Sequence, residues 1–508
     1  MAKFFYITTP IYYVNDKPHI GHAYTTVACD VLARFRRLQG LDVFFLTGTD
    51  EHGKKIQKAA EENLADPKSY VDRFAKIFQD AWLALNISND DFIRTTQDRH
   101  YKAVAKFWQI VKNNGDIYKG KYSGWYCVPC ETFFSDEQLV NGKCPDCGRE
   151  VEWMEEESYF FRLSKYTQPL LDLYNDKKNF VMPDFRRNEV IQFVSQGLKD
   201  LSISRSKFSW GIKVPDDPKH VIYVWFDALL NYLTAAGFAE DEERFKRIWP
   251  ADVHVVGKEI VRFHAIIWPA MLMSANLPLP KMVFGHGWWT MEGEKMSKSK
   301  GNVVDIWALS KEVGVDPMRY FLMKAVPFGQ DGDFSYKNLK EILNSDLAND
   351  FGNLLNRTAS MIERYNNSML TEADKFFDGE NYVKLRAIFD GMKERIEKYY
   401  DNLSFSFVLE EIMTLVKGAN KFLDETAPWR CFKENGFDTQ VASAFYHVFE
   451  VIRLCAIALY PFMPSISSDV LKRLSVKDNP SWSEFEWGLL PLPCRIEKGE
   501  PIFKRLEN

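Results

Sequence analysis

Positive charge is not in excess in this sequence. Lys and Arg number 65 against 70 Asp and Glu over 508 residues, a formal net charge of −5. That excludes a histone-like or polybasic binder, so a nucleic-acid partner would have to be met by local basic patches and by shape. Long apolar runs are missing as well. The most hydrophobic stretch, 448–464, is interrupted by Glu450, Arg453 and Pro461, which makes it too short and too broken to be expected to span a bilayer. The first residues hold neither an apolar segment with a cleavage site nor an Arg- and Ser-rich one; Phe4-Phe5-Tyr6-Ile7 follows Lys3 directly and reads as a strand. A cytoplasmic location with no membrane partner is the default expectation. There the 8 cysteines stay reduced, and any that cluster read as metal ligands before disulfides. Internal repeats and low-complexity tracts are absent too. What remains is ordinary globular usage, 46% hydrophobic and 27% charged, enough to build several cores and too much for wholesale disorder. Roughly 100–200 residues per domain gives about three or four structural units.

The order of elements follows from periodicity. Phe4-Phe5-Tyr6-Ile7-Thr8-Thr9 reads as a buried strand ended by Pro10, and a polar loop with Asn15, Asp16 and Pro18 follows. From 21 to 38, Ala23, Val27, Val31, Leu32 and Phe35 recur at helical spacing, and Gly40 stops that helix. Val43-Phe44-Phe45-Leu46-Thr47 is the next strand. Strand, loop, helix, strand is the opening of a doubly wound parallel sheet, Rossmann-like in kind. Residues 56–118 read as mostly helical. Residues 119–190 change character, with cysteines, Gly-Lys turns and many aromatics, and look like an insertion into the sheet domain. The α/β pattern returns at 220–225, 253–257 and 282–285. From about 346 it becomes all-helical, with long amphipathic runs such as 383–400. The expected fold is therefore α/β with an insertion, followed by an all-α helical bundle.

Five clusters carry chemistry. His19-Ile20-Gly21-His22 stands where a loop hands over to a helix N-terminus. Exposed N–H groups and the helix dipole favour phosphate there, two imidazoles add donors, and Gly21 leaves room for a flat ring. The bland alternative is a surface loop with two histidines. Lys295-Met296-Ser297-Lys298-Ser299-Lys300-Gly301 follows an expected hairpin turn at Glu292-Gly293-Glu294 and would suit a mobile loop closing over polyphosphate, or simply a solvated basic loop. Gly48-Thr49-Asp50-Glu51-His52-Gly53-Lys54-Lys55 nearly matches a Walker A loop, but Lys55 replaces the Mg²⁺-binding hydroxyl and two acids sit inside. Asp50, at the carboxyl end of a parallel strand, is better placed to hold an ammonium group, or to cap a helix.

Cys127-x₂-Cys130 and Cys144-x₂-Cys147 are two knuckles with Pro129, Pro145 and Gly148 at their turns. Four thiolates make a closed tetrahedral Zn²⁺ site of structural type. Cys29, Cys431, Cys455 and Cys494 are scattered and read as core thiols. In the fifth cluster, Trp225, Ala228, Leu229 and Tyr232 fall at i, i+3, i+4 and i+7, one face if helical, which on its own is more often core packing than a pocket.

The pair His19-Ile20-Gly21-His22 and Lys295-Met296-Ser297-Lys298-Ser299 resembles the signature motifs of the class I aminoacyl-tRNA synthetases in order, distance and Rossmann-like context. Ile11-Tyr12-Tyr13-Val14-Asn15, the Trp225 segment and Gly257-Lys258-Glu259-Ile260-Val261-Arg262-Phe263-His264 look like the methionyl branch of that family. The cysteine knuckles are similar to its zinc-bearing connective insertion, and Asn353-Leu354-Leu355-Asn356-Arg357 with Ala427-Pro428-Trp429 to its anticodon-reading elements, so the resemblance covers nearly the whole chain.

The resemblance implies a methionine pocket of Ile11, Tyr13, Asp50, Trp225, Ala228, Leu229, Tyr232, Ile260 and His264, with Asp50 on the ammonium group. Leu229 stands where other members often carry proline. ATP would lie against Gly21 between His19 and His22, near Gly257, with Glu259 by the ribose and Lys295 and Lys298 on the phosphates. Arg205 matches a position associated with adenylation. Asn353, Arg357 and Trp429 would read the anticodon of tRNA(Met). Zn²⁺ would be structural, one per chain, and Mg²⁺ would come with ATP. The implied reaction joins L-methionine to ATP with loss of pyrophosphate, then passes the methionyl group to the terminal adenosine of the tRNA. The units expected are 1–118 and 191–290 as halves of the catalytic domain, 119–190 as the insertion, 291–345 as the lysine loop and stem-contact region, and 346–508 as the anticodon domain. A monomer is expected, since no appended β-barrel is seen. Isoleucyl, valyl and leucyl relatives need an editing domain larger than 119–190 allows, because a methylene gives only about 1–3 kcal/mol of discrimination. A cysteinyl enzyme would open its zinc to the amino acid. A non-catalytic tRNA binder would not need both histidines and both lysines, and a small nucleotidylyltransferase would not need the helical third.

Overall fold

The protein is described here by a computed structural model covering residues 4–130, 132–295, 303–375 and 379–507. Six parallel strands form the central sheet: β1 (Phe4–Tyr13), β2 (Asp42–Asp50), β3 (Asp91–Arg94), β4 (Val181–Met182), β5 (Val253–Gly257) and β6 (Val283–His286), in the order β3-β2-β1-β5-β6-β4. The chain fills outward from β1 to β2 and β3, then returns to the other side of β1 with β5 and β6. That reversal opens a crevice at the carboxyl ends of β1 and β5, where open α/β sheets bind ligands. Helix α1 (Ile20–Leu38) follows β1 and buries Val27, Val31, Leu32 and Phe35. Gly40, at φ 82°, turns the chain toward β2.

Two expectations about elements need correction, and the mostly helical stretch 56–118 is as expected apart from one strand. β1 does not end at Pro10 but runs to Tyr13; its register against β2 shifts between Thr8 and Ile11 and it pairs with β5 only at Ile7 and Thr8, so the proline sits at an irregularity where no ladder N–H is required. Within 56–118 lies a short edge strand, β3, which helical periodicity in its neighbours hides. The run 383–400 is two helices, Glu380–Phe389 and Met392–Asp401, broken at Gly391 with φ 71°.

The insertion is a four-stranded antiparallel sheet of Thr132–Phe134, Ile117–Cys127, Glu152–Phe161 and Leu201–Ser202 in that spatial order. Its last strand lies beyond 190, while β4, inside 119–190, belongs to the central sheet. The C-terminal part is helical: α2 (Asn353–Asn366), α3 (Phe405–Thr426), α4 (Pro428–Asn435) and α5 (Thr439–Leu459). By length and composition α5 alone among the described helices would reach across a membrane, but its apolar window is wholly buried in the bundle. Its interrupting charges pair with each other, Arg453 to Glu450 at 2.6 Å, and the Glu450 carboxylate also accepts N–H groups from Gly488, Leu489 and Leu490.

Candidate active site and metal centre

The start of α1 is held by its own histidines. His19 is the N-cap; its Nδ1 accepts the Gly21 N–H at 3.1 Å, and His22 Nδ1 accepts the His19 N–H at 3.1 Å. The rings lie 3.9 Å apart, and a Cβ at position 21 would crowd the His19 ring at 3.0–3.2 Å. With both Nδ1 atoms accepting, the neutral rings carry their protons on Nε2, so the pair presents N–H donors on its far side. Burial, and then His19 itself, hold the His22 imidazole well below its ordinary pKa. One turn on, Thr25 donates to His286 Nε2 (2.7 Å), whose Nδ1–H donates to the Gly287 carbonyl (2.8 Å); this ties α1 to the end of β6.

At the neighbouring strand end, Asp50 is buried and in register with Tyr13, as Gly48 is with Ile11. Tyr13 donates to the His52 carbonyl at 2.8 Å. Opposite, the Trp225 segment is two short helices, Val224–Ala228 and Asn231–Ala236, with Leu229 and Leu230 at the joint. Trp225 stacks on Phe263 at 3.7 Å, edge-on to His264. His264 Nδ1–H donates to the Ile260 carbonyl (3.0 Å), so its Nε2 accepts from the Tyr232 hydroxyl (2.7 Å). Burial lowers the His264 imidazole to about 4. Ile11, Tyr13, Trp225, Leu229, Tyr232 and Ile260 share one apolar cluster around this point. Behind them, fully buried Asp227 accepts from His52 and His100, 2.7 Å each, which fastens the Asp50 loop to the Trp225 helix. Burial would raise that carboxyl, but the two imidazoles outweigh it and hold it below the usual carboxylate range.

Gly257 ends β5, and Glu259 lies in the 3₁₀ turn Lys258–Ile260 just after it. Arg205 is buried apart from the histidine pair: its guanidinium bonds the Ser202 and Ser204 carbonyls and packs over Tyr223, Phe133 and Tyr126, beneath the insertion. The hairpin Trp289–Met291 with Glu294–Lys295 turns at Glu292 and Gly293, both with positive φ, as expected of a two-residue loop. Lys298 lies outside the described residues, as does the Lys295 side chain.

The sulfurs of Cys127, Cys130, Cys144 and Cys147 all lie within 4.8 Å of one another, and two pairs stand at 3.5 and 3.7 Å. Tetrahedral Zn–S bonds of about 2.3 Å require sulfurs about 3.8 Å apart, so the donor set fits Zn²⁺. Cys127, Cys144 and Phe134 form a separate small core with Leu139 and Val151 around them. Among the described residues no other group of three or more such side chains brings its ligand atoms to one point.

In the bundle, α4 starts at Pro428 after Ala427 in a left-handed turn, φ 41°. The Arg357 guanidinium lies 5.1 Å over the half-buried Trp429 ring and pairs with Asp424 at 2.5 Å. Asn353 is exposed on α2, one turn before Arg357.

Two family models match. One, tRNA synthetases class I (M), covers residues 5–152 and 147–359. The other, anticodon binding domain of methionyl tRNA ligase, covers 378–506. The chain belongs to the methionyl class I tRNA synthetases. A methionine–tRNA ligase of Caldanaerobacter subterraneus is 53% identical over all of this chain and 80% of its own length, and one of Thermotoga maritima 48% identical over 99% and 80%. The Mycobacterium tuberculosis methionyl-tRNA synthetase in complex with methionyl-adenylate superposes with a TM-score of 0.94 at 43% identity, covering 99% of each chain.

Within that family frame, several residues of the site escaped sequence reasoning. His52, His100 and Asp227 come from three separate segments and meet only through the fold. His254, buried in β5, bonds Thr8 at 2.8 Å beneath the Tyr232 ring. Asp424 gave no signal, because a carboxylate on a polar helix face reads as solvated.

Proposed function

We propose that this chain is a methionine–tRNA ligase, forming methionyl-adenylate from L-methionine and ATP and transferring the methionyl group to tRNA(Met). The observation that carries the reading is the imidazole pair locked at the N-terminus of α1, beside the sheet's switch point, with Asp50 at the next strand end. In this reading a methionine carboxylate oxygen attacks the α-phosphorus of ATP in line, and pyrophosphate leaves with the other electron pair. No side chain forms a covalent bond; the chain's work is positioning and stabilisation of phosphoryl charge. The Nε2–H groups of His19 and His22 donate to phosphate oxygens, and Lys295 and Lys298 meet the leaving phosphates. Asp50 takes the ammonium group. Trp225, Ala228, Leu229, Ile11 and Ile260 enclose the thioether, which ring edges favour, and the Tyr232–His264 pair closes the end of the pocket. Arg205 supports adenylation from beneath the insertion. Mg²⁺ accompanies the ATP phosphates and lessens their charge. Zn²⁺ is held by the four cysteines as a structural ion. Asn353, Arg357 and Trp429 meet the anticodon, in a helical unit from about 346 onward.

ATP–pyrophosphate exchange against a panel of amino acids tests the reading. Methionine should drive it far faster than isoleucine, leucine, valine or cysteine at saturating ATP. Faster exchange with any of those four would overturn the assignment.

A further inference from the structure

Beyond β6 the chain passes through Gly287 to Trp288, an indole that is 38% exposed and belongs to no motif considered above. Its Nε1–H donates to Glu259 Oε2 at 2.5 Å. The ring is itself fixed from two sides. Lys258 Nζ lies 4.2 Å over its centroid, and the same ammonium pairs with both oxygens of Asp331 at 2.6 and 2.7 Å. Asp331 also accepts the backbone N–H of Trp288 at 2.8 Å. On its other side, the Glu259 carboxylate folds back over the end of β5. A Cβ at position 257 would approach its oxygens to 2.5 and 2.6 Å, so only glycine permits this arrangement.

An exposed glutamate ordinarily samples several rotamers, and ordering it before a ligand arrives removes that entropic cost from binding. Here bare backbone on one face and a charge-assisted hydrogen bond on the other define a single arrangement. A carboxylate has about four acceptor positions, so the indole leaves capacity for hydroxyl donors.

We infer that Trp288 is a positioning residue for the ribose of ATP: its indole N–H holds the Glu259 carboxylate where it accepts the ribose hydroxyls, and so sets the preference for ATP over its deoxy analogues. This rests on the assignment of Glu259 to the ribose. A site built to pair a hydroxyl rejects the analogue lacking it, because the acceptor is left unpaired; that rejection weakens if the acceptor is free to turn away.

The test is steady-state exchange with ATP, 2′-deoxy-ATP and 3′-deoxy-ATP on the wild-type chain, Trp288→Phe and Glu259→Gln. Phenylalanine keeps an aromatic ring for Lys258 while removing the N–H together with part of the indole's bulk. Trp288→Phe should raise the KM for ATP by about tenfold and narrow the preference over at least one deoxy analogue by a similar factor, with the KM for methionine and kcat little changed. Glu259→Gln should erase that preference. If Glu259→Gln erases it and Trp288→Phe keeps it, Glu259 reads the ribose without help and the inference fails alone. If Glu259→Gln keeps the preference, the ribose assignment fails and takes the inference with it. A Trp288→Phe chain weakened equally toward every nucleotide and methionine would make the indole a purely structural group.

Discussion

Trp429 is the residue on which simple packing and the anticodon contact proposed above can be told apart. It is half-buried, at the first turn of α4, with the Arg357 guanidinium over its face and Asp424 paired with that guanidinium. A pure core tryptophan would be enclosed, as Trp82, Trp108 and Trp268 are. Unpaired loop bases are read by stacking and by edge hydrogen bonds, which need an aromatic face beside amide and guanidinium donors, and Asn353, Arg357 and Trp429 supply these. Base–aromatic stacking is worth about 1–3 kcal/mol, so Trp429→Ala should raise the tRNA concentration needed for half-maximal aminoacylation by roughly 10–100-fold. Exchange without tRNA should hold, and equal loss of both activities would make Trp429 structural. That Asn353 and Arg357 share a face was legible from their spacing of four. That Pro428 would start a helix was legible from proline's preference for the first turn. The contact between Arg357 and Trp429 was not, because nothing in local sequence states which helices pack together.

At the scale of elements, legibility follows how local the determining forces are. Helix α1 and its glycine stop are set by residues a few positions apart, and they were readable; that His19 and His22 cap the helix start was not read. The spacing of Trp225, Ala228, Leu229 and Tyr232 puts them on one face if the segment is helical; the chain is helical on both sides but is broken at Leu229 and Leu230, with Asp227 bonded to His52 and His100 and Trp225 stacked on Phe263. A buried carboxylate hydrogen-bonded by two imidazoles outweighs helical continuity there, and its partners are 175 and 127 residues away. β4 is two residues long and pairs with β6 across about a hundred residues of chain, too short and too distant to leave a pattern. The cysteine knuckles are the opposite case, since ligand spacing is itself the local signal. Their separate core holds few apolar side chains, so metal ligation should supply most of its stability. One Zn²⁺ per chain should be found by metal analysis of the purified protein. Cys130→Ser should lose that ion and slow transfer to tRNA while leaving methionine-dependent exchange largely intact. Full zinc content in that variant would remove Cys130 from the ligand set.

Across the whole molecule, a fully buried guanidinium ties the catalytic sheet's first helix to the helical bundle, beside contacts such as the stacking of Phe35 on Tyr400 at 3.6 Å. Arg319, on helix Val315–Lys324, donates to Asp30 of α1 at 2.6 Å, to the Pro461 and Phe462 carbonyls at 3.0 and 2.9 Å, and to the Leu85 carbonyl at 3.2 Å. Asp30 also holds Arg34 and Ser88. The helix that begins at the histidine pair is thus anchored, ten residues on, to the bundle that carries Trp429. Burial alone would raise the Asp30 carboxyl, but Arg319, Arg34 and Ser88 outweigh it and hold it down at about 2. A depressed carboxylate contributes stability above its unfolded value of roughly 3.9, and that contribution is lost as pH falls toward 2. Breaking such a pair costs about 3–5 kcal/mol because it strands the remaining charge. Arg319→Met should therefore lower the urea midpoint most at neutral pH, where Asp30 is ionised. The deficit against wild type should shrink as the pH is brought below 4 and the stranded carboxyl takes up a proton. Adding Asp30→Asn should recover part of the loss at pH 7. A deficit that stays constant from pH 7 to 3.5, and that Asp30→Asn leaves untouched, would mean that Arg319 acts through its carbonyl partners and that the ion pair is not the joint.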